Sequence, residues 1–376
     1  MTASAPAVGA VTAVRDAVVV PTLQPGRGPV RAATYLSADP AHVLWGRLPC
    51  ATDAPVLTVD PGTEVTIDTV SHEGLLEDQG RDPVAFFARH GVDPGDVLAD
   101  GIALAASDRP RDPHDDGPHV VTGPIAVRGA LPGDVLTMTV VEVVPRVGYG
   151  VVSNRHGRGA LPGELPEGPE TVSVFTRLRA DGPGSYTLSM PRGAGERTVE
   201  FPADPFLGIM GVATATDERA HSVPPGPHGG NVDIRLLTPG AALHLPVQVP
   251  GALAYVGDPH FAQGDGEVAL TAVEGSLRAT IRFDVVPAAV ATERFGELTG
   301  PLVETPTHLV PTGLDEDLDE AVRACVRNAI ALLTARYGFD RAHALAYLSA
   351  ATDFDISQVV DRVKGVHARI RIAEIA

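Results

Sequence analysis

Cysteine is nearly absent from this chain of 376 residues: there are two, Cys50 and Cys325, far apart in sequence. That excludes a dense disulfide framework and fits no zinc spacing, so a reduced, cytoplasmic setting is expected. Cationic charge is also in deficit. With 29 Lys and Arg against 47 Asp and Glu, the formal net charge is -18, which disfavours nucleic acid and anionic membranes and suits a small neutral ligand. No stretch approaches the roughly 20 apolar residues that cross a bilayer. Residues 1–33 are rich in Ala and Val but broken by Pro and Arg, without a cleavage pattern, so a soluble protein is expected. Nucleophile and phosphate motifs are missing too. There is no Gly-x-Ser-x-Gly elbow and no glycine-rich loop of dinucleotide or Walker type, and Cys50 lacks an identifiable His/Asn context, so it reads as a small buried hydrophobe.

Glycine (40) and proline (34) are abundant but dispersed among alternating apolar segments, which indicates many turns instead of disorder. Three Pro-Gly pairs, Pro61-Gly62, Pro132-Gly133 and Pro239-Gly240, each introduce an alternating run: Val65 to Val70, Val135 to Val144, and Leu243 to Val249. Short strands are expected before them, at Val56–Val59, Ile125–Ala130 and Ile234–Leu237, and Leu270 to Val286 continues the pattern. Gly182 to Arg197 reads as an exposed hairpin. Beyond residue 300 the spacing changes. Leu318, Val322, Cys325, Val326, Ala329 and Leu333 recur at helical intervals, with acidic residues at the start and Gly338 at the end. Asp340 would cap the next helix, Asp355 to Val363 reads as a further short helix, and another is expected around Pro83 to His90. The fold expected is mainly β with a smaller α part: a β-sandwich or barrel-like body with a C-terminal helical cap. Residues 1–40 form an N-terminal extension, 41–300 the β-rich catalytic body, and 301–376 an α-rich cap completing the same globule. The apolar helical stripes, attached to a body with strands enough for its own core, suggest a homodimer or homotetramer.

The densest concentration of chemistry lies between Gly226 and Glu267. It opens with Gly226-Pro227-His228-Gly229-Gly230-Asn231-Val232-Asp233 and closes with Gly257-Asp258-Pro259-His260-Phe261-Ala262-Gln263-Gly264-Asp265-Gly266-Glu267. Any single Asp-Gly pair is read most simply as a turn whose side chain caps its own backbone. Two such clusters flanking an apolar run point instead to convergent ligand or catalytic groups, with glycines that let backbone approach a ligand closely. His72-Glu73 and Glu77-Asp78-Gln79 form a further patch after the Thr66 to Val70 strand, as though that loop dipped into a shared cleft.

These two clusters resemble the acetamidase/formamidase family of metal-associated amide hydrolases. The resemblance extends to His119-Val120-Val121-Thr122-Gly123-Pro124-Ile125, to Pro132-Gly133-Asp134 and to Thr305-Pro306-Thr307-His308, and so covers most of the chain. It implies hydrolysis of a small amide to carboxylate and ammonia by metal-activated water. A divalent metal polarises the carbonyl and lowers the pKa of bound water to roughly 7. Asp233, Asp258 and His260 are the expected oxygen and nitrogen ligands. Mixed Asp/His ligation suits zinc but also manganese or iron. Glu267 is the expected proton-transfer group and Asp265 a residue orienting His260. His119, Gln79, Asn231 and His228 are the expected substrate contacts, with Asp78 an alternative to Gln79, and His228 departs from the glycine usual in the family. Two other readings stay open: ring-opening of a small lactam on the same site, and a metal- or sugar-binding β domain without turnover.

Overall fold

Alternating segments between Pro-Gly turns dictate strands with one face for the core. The computed structural model describes residues 18–193, 195 and 197–375, and arranges these strands in two sheets of twelve and nine strands. Thr63–Asp68, which leaves the Pro61-Gly62 turn, pairs with Leu277–Val286. That strand pairs with Val135–Pro145, and Val135–Pro145 pairs on its other side with Ala242–Pro246. The three strands that follow the Pro-Gly pairs therefore lie in the nine-stranded sheet, with Leu277–Val286 between the first two. From it Val65, Ile67, Leu136, Met138 and Leu243 pack into one cluster with Ile125, Val127, Leu207 and Val256 of the other sheet. Each such fully buried side chain contributes about 1.5–3 kcal/mol. The mainly β body is as expected, and it is two sheets instead of a closed barrel.

The centre of the twelve-stranded sheet is Ala254–Ala262, buried along nearly its whole length. It is hydrogen-bonded to Phe206–Gly211, Val120–Val127 and Val273–Glu274. Burial on both faces explains why this segment lacks a clean alternation. The second sequence cluster is therefore part of a central strand, with only its end, from Gln263 onward, in a loop.

The C-terminal helix runs Leu318–Tyr337, capped by Asp317 accepting from the amides of Asp319 and Glu320, and closed by Gly338 in the left-handed conformation. It buries Ala321, Cys325, Ala329, Leu332 and Leu333. Asp340 caps the following helix, Arg341–Ala351, and Pro83–Ala88 is helical as expected. No helix among the described residues is long and apolar enough to cross a membrane.

Two expected elements are different. Asp355 to Val363 is not a helix: Asp353–Gln358 is a strand paired with Lys364–Arg371, followed by a tight turn. Asp353, Asp355 and Ser357 alternate with Phe354 and Ile356, and this period of two, supported by the partner strand, overrides a helical reading. Ile234–Leu237 is a turn closed by the amide of Leu237 on the carbonyl of Ile234 at 3.0 Å, because Asp233 enters it with φ 47 and leaves the strand path. Four strands thus join the helices after residue 301, and they extend the nine-stranded sheet.

Candidate metal and catalytic centre

Strand register brings the site together. On Ala254–Ala262, Asp258 and His260 are two residues apart, and Asp258 Oδ2 lies 3.0 Å from His260 Nε2. Directly across from His260 in the ladder is Glu274, whose Oε1 is 3.2 Å from the same nitrogen. His119, immediately before Val120–Val127, and His72, in the loop after Thr63–Asp68, each place a ring nitrogen 3.8 Å from Asp258 Oδ1. Asp233 Oδ1 stands 4.0 Å from His260 Nδ1. Asp258 is thus shared: one oxygen faces His72 and His119, the other His260.

At this centre three sets of ligand atoms lie within 4.8 Å of one another: His72, His119 and Asp258; Asp258, His260 and Glu274; Asp233, His260 and Glu267. All seven residues are buried. Their hydrogen bonds do not close among themselves. Both nitrogens of His72 and of His260, both oxygens of Asp233, Asp258 Oδ1 and Glu274 Oε2 have no partner, although buried polar atoms are nearly always paired. Gly208, opposite Asp258, leaves a hollow: a Cβ there would fall 2.5 Å from Asp233 Oδ1 and 2.7 Å from Asp258 Oδ2. Orphaned nitrogen and oxygen donors converging on a hollow fit a divalent ion.

The electrostatics agree. Burial first, then the charges of Glu267, Asp361 and Asp258, raises the carboxyl of Asp233 well above its ordinary value, and burial with Asp361 does the same for Glu267. Burial opposes ionisation of Asp258 as well, but His119 and His260 outweigh it and hold that carboxylate below the usual range. Burial holds His119 down at about 4. An excess of carboxylates in a desolvated pocket is costly unless protons or cations enter it. Backbone strain marks the same residues: Asp233, Asp258 and Glu267 adopt φ of 47, 50 and 46, a left-handed conformation uncommon outside glycine and worth about 1–3 kcal/mol each.

Of the residues singled out from sequence, Asp233, Asp258, His260, Glu267 and His119 meet here, and Asn231 lines the adjoining cavity. Three others are elsewhere. Asp265 is exposed and bonded to Arg235 at 2.9 Å, so it does not orient His260. Gln79 is buried, but its amide is taken up by Gly74, Glu73, Ser153 and Ser173, so it braces Glu73 instead of facing substrate. His228 packs against Gly226 and Gly230, away from the cavity wall. Asp78 does line the cavity, held by Arg155 and Thr171. Glu267 does not lead into a strand; it sits in a turn followed by exposed Val268.

The sequence reading missed Glu274 and Asp361, and saw His72 and Glu73 only as a polar patch. Glu73 lies 3.3 Å from His72 Nε2 and accepts from Ser153 Oγ at 2.7 Å. Asp361 is buried, with Oδ2 unpartnered. Its local signal was an acid after the apolar pair Val359-Val360, hidden by the helix expected there.

Two sheets and a buried centre of imidazoles and carboxylates define a β-sandwich protein with a candidate site for a divalent ion. The model of the Acetamidase/Formamidase family matches residues 212–372. A relative from Schizosaccharomyces pombe is 29% identical across 46% of this chain and 53% of its own. The formamidase of Methylophilus methylotrophus is 27% identical across 65% of this chain and 73% of its own. The chain thus spans about half the length of the first and about three quarters of the second. The crystal structure of an acetamidase from Bacillus halodurans superposes with a TM-score of 0.69 at 23% identity, covering 90% of this chain and 98% of that one, a likeness of fold.

Proposed function

We propose that the protein hydrolyses the C–N bond of a small linear amide, giving a carboxylate and ammonia. The observation that carries this reading is the set of unpartnered imidazole and carboxylate atoms around the hollow at Gly208. Asp233, Asp258 and His260 would hold the ion, with Glu274 beside it and His72 and His119 on the far oxygen of Asp258; zinc suits this mixed nitrogen and oxygen set. When bound, a divalent ion polarises an amide carbonyl and lowers the pKa of water in contact with it to about 7. The protein's own groups do the rest. Glu267, buried at the cavity floor, takes a proton from water and delivers it to the departing nitrogen. His119, fixed by Ser222 Oγ at 3.0 Å from Nδ1, is on hand to hydrogen-bond the substrate. Glu73, Gln79 and Ser153 steady His72, the kind of outer support that ligand geometry requires.

The setting follows the same reasoning. Both cysteines are free and buried, which suits a reduced cytoplasm. Val290, Val322 and Leu345 are exposed on three helices, and we read them as part of a contact in a homodimer or homotetramer. Asp361 reaches the site from the segment after residue 301, which supports its belonging to the same globule as the body.

The test is metal analysis of purified protein together with ammonia release from formamide and acetamide, before and after chelation. The expected result is at least one divalent ion per chain, with activity lost on chelation and restored by the ion. Full activity in metal-free protein overturns the mechanism.

A further inference from the structure

We propose that the preferred substrate is an amide that also carries a carboxylate, such as the monoamide of a dicarboxylic acid. This rests on the amide-hydrolase reading above and adds what the rest of the cavity recognises. The catalytic cluster floors a cavity of about 700 Å³, within the roughly 300–1,000 Å³ that holds a drug-sized ligand. Formamide or acetamide would leave most of that space to water.

The charges on the outer wall are sorted. Glu77 pairs with Arg111 at 2.6 Å, Asp78 with Arg155 at 2.8 Å and Asp116 with Arg47 at 2.5 Å, so each outer acid is matched by a guanidinium. Arg158, Arg362 and Lys364 line the same cavity and have no carboxylate partner among the described residues. Lys364, the single lysine of the chain, gives its Nζ to the backbone carbonyls of Glu316 and Arg362. Arg158 and Arg362 are exposed. Arg362 is also held in a strained left-handed conformation, φ 65, in the turn that delivers Asp361 to the floor. The field on this wall is legible in His221, which also lines the cavity. Burial first, then the charges of Arg362 and Arg47 with Arg158 adding, holds its imidazole down at about 4.

A chain with a net charge of -18 repels anions in general. Here the background is reversed locally, on the wall of a cavity that opens onto the reacting groups. Guanidinium groups bind carboxylates through paired, charge-assisted hydrogen bonds, and two unmatched ones beside a lysine supply that recognition. The reaction balances without another reagent. Water adds its oxygen to the amide carbon, the C–N bond breaks, both protons of the water end on nitrogen, and the products are a dicarboxylate and ammonium.

The experiment compares kcat/KM, by ammonia release from metal-loaded protein, for succinamate, for its methyl ester as a near-isosteric uncharged amide, and for acetamide. Succinamate is expected to exceed the ester by about tenfold or more, with the ratio shrinking as salt is raised. In an Arg158→Gln/Arg362→Gln double variant the ratio should fall toward one, whereas Arg192→Gln, exposed just after the strand Ser185–Pro191, should leave it unchanged. A ratio of two kcat/KM values does not depend on how much of a sample is folded, so partial misfolding cannot imitate the result. Equal or faster turnover of the ester, or an unchanged ratio in the double variant, overturns the proposal while leaving amide hydrolysis intact. Ammonia from none of the three amides overturns amide hydrolysis, and this proposal with it.

Discussion

A methyl group on Gly208 would stand 2.5 Å from Oδ1 of Asp233, closer than any real side-chain contact allows. The same methyl would meet His260 Cε1 at 2.6 Å and Asp258 Oδ2 at 2.7 Å, so the absence of a side chain at 208 is what lets three candidate ligands converge. Gly208 has an ordinary strand backbone, and alanine there is opposed by space alone. Gly208→Ala is therefore expected to keep its far-ultraviolet circular dichroism, lose most bound metal and fall in kcat by about 100-fold, the scale set by a displacement near 1 Å at a reacting centre. Metal per chain and ammonia release measure this, and a variant with normal metal content and turnover would show that the hollow is not the ion's seat.

Glu267 separates catalysis from binding. It lies within ligand distance of Asp233 and His260, so it is either a proton carrier or a ligand itself. Glu267→Gln keeps the shape and removes the exchangeable carboxyl proton. If Glu267 moves protons, metal content stays at the wild-type level while kcat drops by about 100-fold or more. Loss of the metal along with activity would instead make it a ligand.

Residues were legible from the sequence where chemistry is local, and hidden where it depends on pairing. Asp258 and His260 are two apart on one strand, Glu267 follows Gly266, and Asp233 lies three residues after Gly230, so their clustering shows in a linear reading. Glu274 reaches His260 only because Val273–Glu274 pairs with Ala254–Ala262 in one particular register, which no local pattern specifies. Asp361 was hidden by a wrong element, since a run of Asp, Ile, Val and Val fits either period until the partner strand Lys364–Arg371 is placed. Asp265 erred in the opposite direction. Its flanking glycines suggested a site residue, yet Asp265 itself is exposed and has Arg235 as its partner. The three strands that follow the Pro-Gly pairs were legible, but their place in one sheet was a matter of long-range pairing.

Away from the site, Glu304 gives an acid-stability prediction. Its carboxyl is held down at about 2, by the neighbouring His244 imidazole first and by the Arg336 guanidinium, while burial opposes. The imidazole is 3.4 Å away without a well-directed hydrogen bond, whereas Arg336 donates to both oxygens at 3.3 Å, so we take the fork as the main contact. A folded pKa below the unfolded value of about 4.3 means that the ionised carboxylate stabilises the fold fully above that pH, and that this contribution fades as pH falls toward 2. Glu304→Gln should therefore cost on the order of 1–2 kcal/mol at pH 7, discounted for partial exposure, and roughly half of that at pH 3. Urea unfolding at the two pH values measures it; an equal deficit at both would assign the cost to packing.

Assembly is tested on the outer face of the C-terminal helices. The inner face of Leu318–Tyr337 is spent within the chain, with Ala321 and Cys325 packed on Val366 and Ala368 and Leu318 against the same cluster, so changing Leu318 would disturb the fold itself. Val322 is 36% exposed and Leu345, on the next helix, 50% exposed, and neither belongs to a core cluster. Single exposed apolar residues are ordinary, but apolar side chains on neighbouring helices are the arrangement that a symmetric contact would bury. The wild-type protein is expected to scatter light as a dimer or tetramer at micromolar concentration. Val322→Glu together with Leu345→Glu should shift it toward the monomer mass, with its unfolding midpoint in dilute solution little changed, because surface substitutions outside a core usually alter stability by about 0.5 kcal/mol or less. A wild-type monomer would end the oligomer reading, and an oligomer indifferent to both substitutions would move the interface off these helices.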